Sequence, residues 1–166
     1  RPNAEVYRRY PPTNTSLPAR YARAIARNCS NPTLCWATSL GDIDALIKER
    51  PDFPYFWELK GHVLLVAGKA AEAVAPMRKA LELLKGKGTQ IQIQLADAIY
   101  RSTSDLKSND DVIHLLEQAI MVEKEDGNAY RLLAEAYYKK QMVAEADLAR
   151  AELSLLSNNS KDAHRF

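Results

Sequence analysis

Between Pro54 and Leu84 the sequence PYFWELKGHVLLVAGKAAEAVAPMRKALELL sets Trp57, Lys60, Gly61 and Leu64, then Ala73, Met77 and Ala80, in a frame that returns along the chain. Tyr130, Leu133, Ala134 and Tyr137, followed by Ala146, repeat it, and Gln92, Leu95, Ala96 and Ile99, followed by Leu116 and Ala119, repeat it more loosely. An upstream copy starts at Tyr21, Ala24, Ile25 and Asn28 and ends at Pro51. Gly61 to Ala96 is 35 residues and Ala96 to Ala134 is 38. A period of this size marks an array of supersecondary units. Apolar residues three and four apart, with no sustained alternation, make those units helical. Gly61, Ala96 and Ala134 must be small because the two helices of a hairpin approach there. Ala73, Ala80, Ala119 and Ala146 are small for neighbouring contacts, whereas Tyr21, Trp57, Tyr130 and Tyr137 are the bulky members that fill the gaps between hairpins.

The frame resembles the tetratricopeptide (TPR) pattern W-x-x-L-G-x-x-Y, A-x-x-x-F, A, and Lys60 in place of Leu is its main departure. That resemblance implies an all-α fold, a right-handed superhelical stack of antiparallel helix hairpins with about four repeats. Residues 1–18, with Pro2, Pro11, Pro12 and Pro18, are expected to form an extended linker from an upstream domain; 19–160 form the repeat domain and 161–166 a tail. The extra residues of the third repeat fall in the polar run Arg101 to Asp111, where Asn109 or Asp110 is expected to cap the following helix. Gly86 and Gly88 are read as helix termination. The first repeat is atypical: Asn28 to Asp42 contains Pro32 and Gly41, and the spacing predicts a break near residues 30–33 and a second helix from Leu34 to Arg50.

With 46% hydrophobic and 27% charged residues, the 166-residue chain is long enough for one domain with a core. The longest uncharged apolar run near the middle, Val63 to Ala67, is far short of the roughly 20 residues needed to cross a bilayer. The chain begins at Arg1 without Met, and we expect it to have been cut from a longer precursor that carried any targeting signal. Residues 1–27 hold six arginines against the single Glu5, while the remainder is acidic. The Arg-rich end is read as a solvated leader and one exposed helix face, with contact to an anionic membrane surface or an acidic partner domain as the other reading. No compact basic stripe with interleaved aromatics points to nucleic acid. Cys29 and Cys35 lack a second pair to complete a four-ligand zinc site. They are either two thiols around a helix turn or, in an oxidising compartment, a local disulfide.

No catalytic constellation emerges. His62, His114 and His164 are scattered, His114-x-x-Glu117 lacks a third ligand, and H-E-x-x-H, nucleophile elbows and phosphate-binding glycine loops are absent from the sequence. The chain is therefore read as non-enzymatic, without a metal or cofactor of its own. What remains is the concave face that TPR proteins use to hold extended peptides, through positions 2, 5, 9, 12 and 13 of each repeat. The resemblance places Tyr55, Glu58, His62, Leu65 and Val66 there; then Gln90, Ile93, Asp97, Tyr100 and Arg101; then Asn128, Arg131, Glu135, Tyr138 and Lys139. The Lys, Arg and Asn cluster of a carboxylate clamp is not evident, so the expected groove is apolar and aromatic with interspersed charge. The alternative is that these residues merely solvate an inner face.

RRYPPTNTSLPARYARAIAR, IDALIKERPDFPYFWELKG and AAEAVAPMRKAL, spread over residues 6–85, make the chain similar to the C-terminal region of bacterial periplasmic zinc-dependent metallopeptidases that carry TPR units, the group that includes the beta-barrel assembly-enhancing protease. The resemblance implies a parent with a signal peptide and an H-E-x-x-H protease domain that holds the zinc, neither being in this chain. It further implies a periplasmic location, a role in proteolysis and outer-membrane protein quality control, and peripheral membrane association of the parent. This domain would bind substrate or partner proteins for the protease. It would otherwise be a lid that docks on the protease domain and regulates it, or a stand-alone oligomerising scaffold, present as a monomer or weak dimer.

Overall fold

The computed structural model describes the backbone of residues 2–26, 32–103 and 105–163, and the side chains of 4–26, 39–103 and 105–157. Cys29 and the side chains of Cys35 and Trp36 lie outside the described residues. Within them the secondary structure is helical throughout: α1 (Pro2–Arg9), α2 (Leu17–Ala26), α3 (Pro32–Glu49), α4 (Pro54–Val66), α5 (Ala70–Leu83), α6 (Thr89–Ser102), α7 (Ser108–Val122), α8 (Gly127–Lys139) and α9 (Val143–Ala163). The helices form two compact units, Arg1–Gly86 and Lys87–Phe166.

In the first unit, α4 and α5 form the hairpin read from the opening frame. Pro54 sits at the first helical position of α4, where its missing N–H costs nothing. The helix ends in a turn through Gly68, whose φ of 77° is easy only for glycine, with its N–H on Leu65 O and the Lys69 N–H on Leu64 O. Gly61 is buried where α4 meets α5: an added Cβ would collide with Met77 Cγ and lie 3.4 Å from the Ala73 carbonyl oxygen. The small-residue requirement is thus met by a methionine filling the glycine's space. The core is Ala24, Ile43, Leu46, Ile47 and Phe56, with Tyr21, Phe53 and Trp57 at its edge. Phe56 is fully buried, with ring centroids 4.6 Å from Phe53 and 5.3 Å from Tyr21. Trp57, expected to fill the space between hairpins, is only partly buried, and its indole N–H donates to Pro51 O at 2.9 Å.

The segment 1–18 is not extended throughout. Pro2 opens α1 without cost to its ladder, Glu5 accepts from Arg8 at 2.7 Å, and only the Pro11–Pro12 pair stops the helix. The loop then folds back: Arg23 donates to the carbonyls of Pro11 and Asn14, each at 2.9 Å. Arg20 meets Glu49 at 2.5 Å, which ties α2 to α3. Among the described residues, Arg8, Arg20 and Arg23 are therefore held by the chain's own acceptors.

In the second unit, α6 and α7, then α8 and α9, form two more hairpins, and α7 also packs on α8. Ala96, Ala119, Ala134 and Ala146 are all buried. Asp126 caps α8, accepting from the Ala129 N–H at 3.0 Å. The expected cap on α7 is absent: the residue before Ser108 is Lys107, with no side-chain bond. Asn109 is instead buried and donates through Nδ2 to the Ala136 carbonyl at 3.2 Å, so it holds α7 against α8. A buried amide is kept where it finds a carbonyl.

Candidate functional site

The predicted face of α4 carries Tyr55, Glu58 and His62 at one-turn intervals, and the structure keeps them accessible. Glu58 is partly buried, and that burial raises its carboxyl above the usual range against a small opposing pull from His62. The Tyr21 hydroxyl is raised too, by burial first and then by Glu58 and Tyr55. Leu65, assigned to the same face, is 7% exposed and belongs to the core; Val66 is the exposed neighbour. A leucine one turn from the helix end gains more from the hairpin interface than from solvent.

In the second unit the face is sharper. Ile93 is 2% exposed and is a core residue rather than a groove residue. Gln90 is spent on Glu123 and Asp126, at 2.6 and 3.0 Å. Asp97 and Arg101 pair with each other at 3.3 Å. Arg131 bonds Glu135 at 2.6 Å and Asn128 at 2.8 Å. Tyr100, Glu135 and Tyr138 come together in an open cleft of about 610 Å³, completed by Lys139, Gln141, Val143 and Arg150.

Two cation–aromatic pairs organise this cleft. The Lys139 ammonium lies 4.9 Å from the Tyr100 ring centroid and donates to Thr103 O at 3.3 Å; the Arg150 guanidinium lies 5.5 Å from the ring centroid of Tyr138, a residue 61% exposed. Such pairs hold aromatic rings in place while leaving an edge for a partner. Burial raises the Tyr100 hydroxyl, with Glu135 adding to the effect and Arg131 opposing it. The face reading missed Arg150 and Val143, which stand on the second helix of the hairpin. The signal was present: Arg150 occupies the place that Met77 holds in the α5 frame, and an arginine where the pattern asks for a core residue marks a surface.

His114 and Glu117 are both engaged within the chain. Gln118 and His114 are bonded to each other at 3.0 Å, and Glu117 accepts the Tyr137 hydroxyl proton at 2.6 Å. Among the described residues no group of three or more His, Cys, Asp or Glu side chains is placed to hold a metal ion, and no helix is long and apolar enough to cross a membrane.

No protein-family model and no curated protein sequence matches the chain. Solved structures do match. MamA residues 41 to the end from Desulfovibrio magneticus RS-1 superposes with a TM-score of 0.76 at 14% identity, covering 95% of this chain and 84% of that one. MamA from MSR-1 gives 0.72 at 17% identity, covering 95% and 86%. A further MamA crystal structure gives 0.74 at 11% identity, covering 96% and 87%. At such identities the likeness speaks for the fold, and the fold is an all-α, TPR-like helical repeat.

Proposed function

We propose that this chain is a non-catalytic protein-interaction domain whose α6–α8–α9 cleft grips an extended segment of a partner protein. The observation that carries the reading is the pair of tyrosine rings, each flanked by a cation, in a cleft whose one lining carboxylate, Glu135, is already engaged by Arg131. Tyr100 and Tyr138 offer apolar surface with a polar tip, while Lys139 and Arg150 favour acidic groups beside it. A repeat fold supplies such surfaces without catalytic machinery. The resemblance of residues 6–85 supports a setting beside a zinc-dependent metalloprotease of the cell envelope, for which this domain recruits substrate or assembly partners.

The oligomerising scaffold remains the second reading, and α9 bears on it. Where α7 presents Ile113, Leu116 and Ile120, α9 presents Asp147, Arg150 and Ser154 at the corresponding positions, all exposed. The same helix also exposes Leu148 and Leu155, at 65% and 58%, so α9 offers a second copy apolar surface beside these polar positions.

A photo-crosslinking residue placed at Arg131 or Tyr138 tests the leading reading. Both should capture the same envelope protein, and Arg150→Glu should abolish capture while leaving helicity intact. Crosslinks arising only from Met121 and Leu148, exposed away from the cleft, would overturn it.

A further inference from the structure

The side of α4 turned away from Tyr55 and Glu58 lines a second cleft, of about 690 Å³, between α3 and α5. Its floor is Leu40, Trp57, Leu64 and Pro76, and Asp44 and Lys60 meet across its rim at 2.7 Å. The second unit shows what this space is for. Asp44, Lys60 and Leu64 correspond, each 73 residues on, to Glu117, Leu133 and Tyr137. There the Tyr137 ring is buried over α7, its hydroxyl donates to Glu117 at 2.6 Å, and Leu133 is buried beside it. In the first unit the aromatic ring is a leucine and the neighbouring leucine is a lysine drawn to the acid. The carboxylate is kept, but the phenol that would use it is missing.

We propose that this cleft binds an aromatic side chain, a tyrosine by preference, presented by a segment of a protein partner. The ring would lie on Trp57 and Leu64, and its hydroxyl would donate to Asp44. The bond from Tyr137 to Glu117 at the corresponding place in the second unit favours that donor. Only Oδ1 of Asp44 is bonded, to Lys60, which leaves Oδ2 to accept among the described residues. The Trp57 indole N–H is already given to Pro51, so the indole presents its apolar surface rather than a competing donor.

The test is an NMR titration of the isotope-labelled chain with the capped pentapeptide glycine-glycine-tyrosine-glycine-glycine and its phenylalanine and alanine counterparts. The tyrosine peptide should shift the Trp57 indole N–H and the amides of Leu40, Asp44 and Leu64. The phenylalanine peptide should bind about five-fold more weakly, as loss of one hydrogen bond predicts, and the alanine peptide should leave the signals in place. Asp44→Ala, at an exposed position, should erase the difference between tyrosine and phenylalanine. Leu64→Tyr rebuilds the arrangement of the second unit and should abolish binding. No shift with the tyrosine peptide, equal binding of the alanine peptide, or an unchanged tyrosine preference in Asp44→Ala would overturn the proposal. Arg150→Glu should leave these shifts unaltered, so this cleft and the α6–α8–α9 cleft succeed or fail separately.

Discussion

Where α4 crosses α5, Gly61 makes room for the buried Met77; in the hairpin of α8 and α9 the corresponding residues are Ala134, buried, and Arg150, exposed on the Tyr138 ring. The turns differ in the same sense. Gly68 takes a φ of 77° between α4 and α5, and Gln141 takes 61° between α8 and α9. The outward faces differ most: Glu58 and His62 on α4 correspond to Arg131 and Glu135 on α8. The frame therefore fixes burial at the small-residue slot, while burial, charge and shape vary at the position opposite it and on the outward face. What a small-residue slot demands depends on what stands opposite it, so the same slot is rigid in one hairpin and lenient in the other.

The largest difference is expected at that slot. Gly61→Leu should destabilise the chain by about 2–3 kcal/mol, because Met77 and the Ala73 backbone leave no room. Thermal unfolding monitored by circular dichroism reads this, and an unchanged midpoint would mean the hairpins are not registered on Gly61.

Next is the buried phenol that the second unit has and the first lacks. Tyr137→Phe should cost about 1 kcal/mol through the lost bond to Glu117. Burial first, and the bond to Glu117 second, hold the Tyr137 hydroxyl far above the usual tyrosine range. A folded-state value raised in this way gives stability that is complete below the unfolded value of about 10 and is lost as pH rises beyond it. Chemical denaturation as a function of pH should therefore show a shallower alkaline decline in Tyr137→Phe than in the parent. Parallel curves would detach the hydroxyl from the folding equilibrium.

The smallest effect concerns the turns. Gln141→Gly should stabilise by about 0.5 kcal/mol by relieving a left-handed glutamine, whereas Gly68→Gln should destabilise by about 1 kcal/mol. Equal and same-signed shifts in urea midpoints would show that the two turns are not equivalent.

Much of the fold was legible because the repeat is a statement about burial. Gly61, Ala73, Ala80, Ala96, Ala119, Ala134 and Ala146 were assigned from spacing, and each is buried. The candidate site was legible only in part. Tyr100, Glu135 and Tyr138 meet in one cleft, but Leu65 and Ile93 turned inward, since a position rule names a face and not the depth at which a side chain stops. Phe56 was passed over for its neighbour Trp57 because the pattern names the tryptophan and not the phenylalanine beside it. Asn109 looked like a cap because a polar residue at a helix start so often is one; only the approach of α8 gave its amide the Ala136 carbonyl.

Sequence by itself determined the repeat helices from α4 to α9, their pairing into hairpins and the small residues at the crossings, though not α1, because periodicity and volume are properties of the chain taken a turn at a time. The tertiary structure decided the rest. Lys60 in place of leucine was visible as a departure from the pattern, but that it goes with an open cleft beside Asp44 depends on an acid supplied by α3, and that Arg150 serves a cleft rather than a core depends on the ring of Tyr138 from α8. Contacts between residues distant in sequence carry no local signature, so the surfaces that a partner would meet appear only when the helices are packed.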